Sequence, residues 1–158
     1  MKSKQRGVAT LELALVLPLL LAICFGITEF GRAIFTYDTL AKSARSAARY
    51  LSTQSAGNAN AWAVADNLVV YGNPAGTGSP LVPGLAVSNV TVCDASNCSA
   101  NLFVGSNPTI NTVTVTITGY TFTPVLDLLE FTRFYTAGNS SLTSIKFADI
   151  SVTMRQQS

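Results

Sequence analysis

Histidine is absent from this sequence, charge is sparse, and sulfur and tryptophan are rare: no His, one Trp, two Met and three Cys among 158 residues, with 11% charged. Without histidine the chain has no side chain whose ordinary pKa suits proton transfer near neutral pH, so Ser-His-Asp and Cys-His nucleophilic arrangements are excluded. Two or three thiols with no imidazole are also poor ligands for zinc. The ten Lys and Arg against eight Asp and Glu give a net charge of only +2, too little for a nucleic-acid partner. Three of those ten cations (Lys2, Lys4, Arg6) stand in the first six positions; without residues 1–7 the balance is seven against eight. The basicity is a topology signal. Asp38, Asp66, Asp94, Asp127, Glu130 and Asp149 are scattered, and Asp127 with Glu130 reads as a solvated helix face. No catalytic residue, cofactor site or metal site emerges.

What the chain has is one long apolar run. After the basic leader and Gly7, twenty residues from Val8 to Ile27 carry a single charge, Glu12. Twenty helical residues span roughly 30 Å, the thickness of a hydrocarbon core. An acid inside such a span costs up to roughly 2.5–3.5 kcal/mol at the helix centre and less near an end. The leader cations hold the N-terminus in the cytoplasm and send the rest outside.

A cleaved secretory signal has a shorter apolar core and a small-x-small site, and Cys24-Phe25-Gly26-Ile27-Thr28 offers none. A lipoprotein signal wants a small residue before its cysteine, where Ile23 precedes Cys24. An ordinary uncleaved anchor explains everything except Gly7 and Glu12. If the bond after Gly7 is cut, Val8 becomes the N-terminus and Glu12 the fifth residue of the mature chain.

Gly7, Val8 and Glu12 together resemble the cleavage site of type IV prepilins and pseudopilins. The wider run Gly7-Val8-Ala9-Thr10-Leu11-Glu12-Leu13-Ala14-Leu15-Val16-Leu17-Pro18-Leu19-Leu20, continuing to Glu29-Phe30-Gly31-Arg32, resembles the opening of the TadE-like family. The resemblance covers about residues 6–51, and more loosely Val152-Thr153-Met154-Arg155. It implies a pseudopilin or minor pilin of the tight-adherence (Tad, Flp-type) pilus system. The partners it implies are the bilayer, a membrane aspartic prepilin peptidase, other pilins including the major pilin, and the inner-membrane assembly platform. Elementary electrostatics agrees with it. A freed α-amine is largely protonated at neutral pH. One helical turn of sliding brings it to Glu12 of a neighbouring subunit, and an unpaired buried charge is costly enough to fix that register.

Beyond the span, residues 28–51 contain no proline, and Phe30, Ala33, Ile34, Tyr37, Leu40, Ala41, Ala44, Ala48 and Leu51 recur in steps of three and four along one helix face. Pro18 removes a backbone donor and is expected to kink the helix inside the membrane. Glu29 and Arg32 read as a solvated i,i+3 pair. The small set Ala41, Ala44, Ala47 and Ala48 suits close contact either with this chain's own sheet or with another subunit. A polar linker follows, Ser52 to Asn60. A second helix is expected over about 59–71, with Trp62, Ala65, Leu68 and Val69 inward and Gly72 and Pro74 ending it.

Strand signals occupy the remainder. Val113, Val115 and Ile117 alternate with threonines from Thr112 to Thr118; an earlier strand lies near 87–93 and a later one runs through Ile145, Phe147, Ile150, Val152 and Met154. Parity changes at Gly119 and near Ala148-Asp149, and a glycine bulge at Gly119 would restore the apolar face. A short helical turn is expected over 125–131. The fold class is α+β: a long N-terminal transmembrane helix continuing into a small extracytoplasmic domain with an antiparallel sheet, pilin-like. The expected divisions are 1–7 leader, 8–27 span, 28–51 helix continuation and 52–158 domain.

Cys93 and Cys98 flank Asp94-Ala95-Ser96-Asn97, and outside the cytoplasm they read as a disulfide whose small loop contributes roughly 2 kcal/mol. Cys24 lies in the span as inert filler. The chain therefore reads as a single-pass protein of the bacterial inner membrane, N-terminus in the cytoplasm, domain outside or in a pilus. Two other functions keep the same residues: a pseudopilin of a protein-secretion machine, and an uncleaved anchored binding domain.

Overall fold

The computed structural model describes residues 3–105, 108, 110–125 and 144–157, with the side chains of 3–7 excepted. Of the helical turn expected over 125–131, residues 126–131, with Asp127 and Glu130, lie outside the described residues. The chain divides into two compact units, Met1–Ile34 with Thr123–Ile145, and Phe35–Phe122 with Lys146–Ser158.

One helix, α1, runs unbroken over Ser3–Ser52, fifty residues and so roughly 75 Å. Leucine and alanine dominate it, and Pro18 sits within it without ending it. The stop at Ser52 is local: the Ser52 and Thr53 hydroxyls donate to the Arg49 and Tyr50 carbonyls, and Gln54 N–H to Leu51. The C-terminus ties the same end down, with Gln157 N–H on the Ser52 carbonyl and Gln156 Nε2 on that of Gln54.

The stripe expected on this helix divides in two. Leu40, Ala44, Ala47, Ala48 and Leu51 are buried, joined by Thr36 and Ser43, whereas Phe30, Ile34 and Tyr37 are exposed. Phe30 and Ala48, eighteen residues or five full turns apart, share one azimuth, so the division follows position along the helix rather than its face. The question left by the alanines resolves within the chain. Ala44, Ala47 and Ala48 are closed off by this protein's own core, and only Ala41 keeps part of its surface.

Helix α2, Ala59–Tyr71, has the expected bounds. Asn58 caps it, its Oδ1 accepting from the Asn60 and Ala61 N–H groups. Gly72 ends it at φ 73°, where a side chain would be strained and its Cβ would stand 3.0 Å from Leu81 Cδ2. The buried residues are Ala61, Ala65, Val69 and Val70, so Leu68 and Trp62 are only half-buried.

The main sheet has the order β1 (Val90–Cys93), β2 (Thr112–Ile117), β5 (Ile150–Arg155), all antiparallel. A short 3-10 turn, Val87–Asn89, replaces the start expected for β1. Val113, Val115, Ile117 and Ile150 are buried in this unit's core. Thr116 and Thr114 turn the other way, their hydroxyls bonded to those of Ser151 and Thr153 at 3.2 and 2.9 Å.

The bulge expected at Gly119 is a departure instead. At φ 67° the chain leaves the sheet there, and β3 (Thr121–Phe122) pairs with β4 (Ile145–Lys146) in a second, two-stranded sheet. Both parity changes read in the sequence mark the change of sheet. Beside them Phe147 stands 5.8, 5.6 and 5.9 Å from the rings of Tyr37, Tyr120 and Phe122.

Candidate functional site

Gly7, Val8 and Glu12 all lie on α1, so the Gly7–Val8 bond sits in helical backbone within its second turn. Val8 and Glu12 are four residues apart, about 6 Å along the axis, on neighbouring turns of the same helix. Both are exposed, and Glu12 has no partner among the described residues. Sixteen uncharged residues separate it from Glu29. Leu13, Leu15, Leu19, Ile23 and Ile27 are more than half exposed, and none of the apolar window is buried inside the protein. By length and composition, α1 is able to cross a membrane. Thr28 adds no unmet polarity, since its hydroxyl returns to the Phe25 carbonyl at 2.8 Å.

At the far end of the apolar run, the pair read as solvated is so only at Arg32, whose side chain is 45% exposed. Glu29 is 7% exposed, and Arg32 Nη1 donates to its Oε2 and Oε1 at 2.8 and 2.9 Å. Nothing in the i,i+3 spacing reveals the burial, because spacing reports a neighbour on the helix and not what lies over it.

The cysteines expected to bond do so: Cys93 and Cys98 form a disulfide with a Cα–Cα separation of 5.4 Å. Cys24 is free, exposed on the apolar stretch of α1. Inside the disulfide loop the structure reveals a residue that the sequence left among the scattered acids. Asp94 is 2% exposed. Its Oδ1 accepts from Ser96 Oγ and Ser96 N–H, and its Oδ2 from Trp62 Nε1 at 2.9 Å and Gly57 N–H at 3.0 Å. Desolvation raises its pKa, but the bonds from Ser96, Gly57 and Trp62 together outweigh it and hold the carboxyl below the usual range. Asn101, also buried, donates from Nδ2 to the Cys93 carbonyl and to Thr114 Oγ1. Disulfide loop, linker, α2 and sheet thus meet through two side chains. The Asp-x-Ser spacing, an Asx turn, was the available signal.

Asp66 on α2 behaves oppositely. It is half-buried with no partner among the described residues, and desolvation pushes its pKa from 3.8 up to about 6. Nothing convergent stands beside it, and it defines no site.

Residues 7–49 match the family model described as TadE-like protein. The match begins at Gly7 and ends three residues before the end of α1, so it covers the helix and none of the sheet. No curated protein and no solved structure matches the chain. The TadE-like match points to a pilin-like component associated with the Tad pilus, and such components are structural parts rather than enzymes. A component of that kind would associate with the membrane and with other pilus proteins.

Proposed function

We propose that this protein is a TadE-like pseudopilin or minor pilin, cut between Gly7 and Val8 and assembled with other pilins through Glu12. The observation that carries the reading is the conjunction of Gly7, Val8 and Glu12 on one helix, inside the matched segment, with Glu12 the sole charge up to Glu29. A membrane aspartic prepilin peptidase removes the leader. Cleavage places a cationic amine one turn before Glu12, and in lipid each charge is stabilised best by the opposite charge on a neighbour. Before the cut the Val8 nitrogen is an uncharged amide, and the α-amine of Met1 lies seven residues upstream behind Lys2, Lys4 and Arg6, where it cannot serve.

The leader stays on the cytoplasmic side of the inner membrane and the domain stands outside, which suits a disulfide at Cys93–Cys98. Beyond the span, residues 28–52 extend α1 by roughly 38 Å. The inner-membrane assembly platform and the major pilin are the further partners.

Two measurements test this together. Intact mass of the chain expressed with its peptidase should lack residues 1–7, and a bulky residue in place of Gly7 should restore the full-length mass without loss of insertion. Glu12→Leu should be inserted and cut as usual, because a membrane-buried charge has been removed and the cut bond lies upstream. It should crosslink less to partner pilins and give fewer pili. A full-length mass in wild type would reject processing. Normal piliation by Glu12→Leu would reject the ion-pair mechanism and leave an anchored domain.

A further inference from the structure

β5 is the outer strand of its sheet, bonded to β2 on one side only. The bond from Gln156 N–H to Asn111 O, at 2.8 Å just past the strand, fixes which backbone groups face which way. In an antiparallel ladder, residues whose N–H and C=O face the partner alternate with residues whose groups face away. Stepping back from Gln156 by twos, Met154, Val152 and Ile150 face β2. Arg155, Thr153 and Ser151 therefore present their backbone groups outward, and Asp149 continues the series. These outward groups have no backbone partner among the described residues.

Natural sheets guard such an edge with lysine, proline, a bulge or a covering element. Between Ile150 and Met154 this strand has no charge and no proline. What it has is a chemical palindrome about Val152. Ser151 mirrors Thr153, Ile150 mirrors Met154, and Asp149 mirrors Arg155.

We propose that β5 pairs antiparallel with β5 of a second copy of this chain, Val152 opposite Val152, joining two sheets into one. Outward backbone groups must meet outward groups, and this register satisfies the condition: Ser151 meets Thr153, and Asp149 meets Arg155, in hydrogen-bonded pairs. Ile150 lies opposite Met154 on the inner face, where Val152 and Met154 keep exposed surface although they point inward. On the outer face Ser151 and Thr153 extend the hydroxyl rows that already join them to Thr116 and Thr114.

Charge selects the orientation. Asp149 and Arg155 are both exposed and neither forms an ion pair among the described residues. Parallel pairing in register sets Asp149 on Asp149 and Arg155 on Arg155. Antiparallel pairing sets opposite charges together at both ends, and a shift by two residues loses both contacts. The interface is isologous and closed, so it makes a dimer and not a fibre. The proposal does not rest on the pilus reading and stands whether or not the leader is removed.

The test uses the full chain, in membranes and in detergent, with Cys24→Ser as background. In the proposed register residue 152 faces its own copy in a non-hydrogen-bonded pair, about 4.5 Å between Cα atoms, within disulfide reach. Val152→Cys should therefore oxidise to a reducible homodimer. Ile150→Cys alone should not, and mixing it with Met154→Cys should. Without cysteine probes, Arg155→Asp should lower the dimer fraction roughly tenfold, since it makes two like-charge contacts per dimer. Combining it with Asp149→Arg should restore dimerisation, which a merely structural role for either residue would not. An intact Cys93–Cys98 bond in each variant checks folding. A monomer in both settings, a crosslink only to a different protein, or failure of the double swap would overturn the proposal.

Discussion

At the scale of single residues, two acids of this domain respond to burial with opposite signs. Asp94 is held ionised by four donated bonds, so its folded pKa lies below its unfolded one. The stability it adds is present above pH of about 4 and is lost as pH falls through the depressed value. Asp66 is raised to about 6 by desolvation. Its contribution is present below the unfolded pKa near 3.8 and is lost as pH rises through about 6. Thermal melts of the detergent-solubilised chain should therefore show wild type losing stability between about pH 4 and 6.5. Asp66→Asn should flatten that decline. Asp94→Asn should cost about 2–3 kcal/mol at pH 7, because an amide sets its own N–H groups against the Trp62 or Gly57 donors. It should also weaken the acid-side loss below pH 4, a result that a merely smaller side chain would not give. Neither acid stood out in the sequence, where each was one of several isolated carboxylates; burial comes from elements far along the chain.

At the scale of elements, the sequence was most legible where a local rule acts alone. The end of α2 follows from Gly72 and Pro74, and the course of β2 from its threonine alternation. The candidate segment was legible for the same reason, since Gly7, Val8, Glu12 and the uncharged run after them are contiguous. Legibility failed where position along a helix or partnership decides. Phe30 and Ile34 fit the apolar spacing yet lie exposed, while Glu29 is buried. Gly119 looked like a bulge because a change of sheet and a change of face leave the same parity signal. The buried side of α1 yields a direct test. Ala47 has no exposed surface, so Ala47→Leu should overpack the core and cost about 1–3 kcal/mol. Phe35→Ser, at a position 72% exposed, should change stability by about 0.5 kcal/mol or less. Equal melts for the two variants would mean that α1 does not supply the core of its unit.

At the scale of the whole molecule, charge and redox chemistry make one joint statement about sidedness. Three cations precede the apolar run, and the loop that holds Cys93 and Cys98 follows it. On the proposed topology the positive-inside bias would keep the first in the cytoplasm, and a structural disulfide persists only where thiols are not continually reduced. The two arguments use different residues and support the same proposed orientation. In intact spheroplasts lacking the peptidase, so that the leader remains, Ser3→Cys should resist a membrane-impermeant maleimide. Cys93 and Cys98 should also resist it, and should react after a brief reductant step. Cys24, within the apolar run of α1, should stay unlabelled throughout. Each arm fails separately. Labelling at position 3 would invert the topology, and labelling of the loop thiols without reductant would show that the bond does not form in the cell. Protection of the loop thiols even after reduction, with position 3 also protected, would place the domain on the cytoplasmic side. In that case the chain could not present its domain to an external filament, and the pilin-like reading would fall with it.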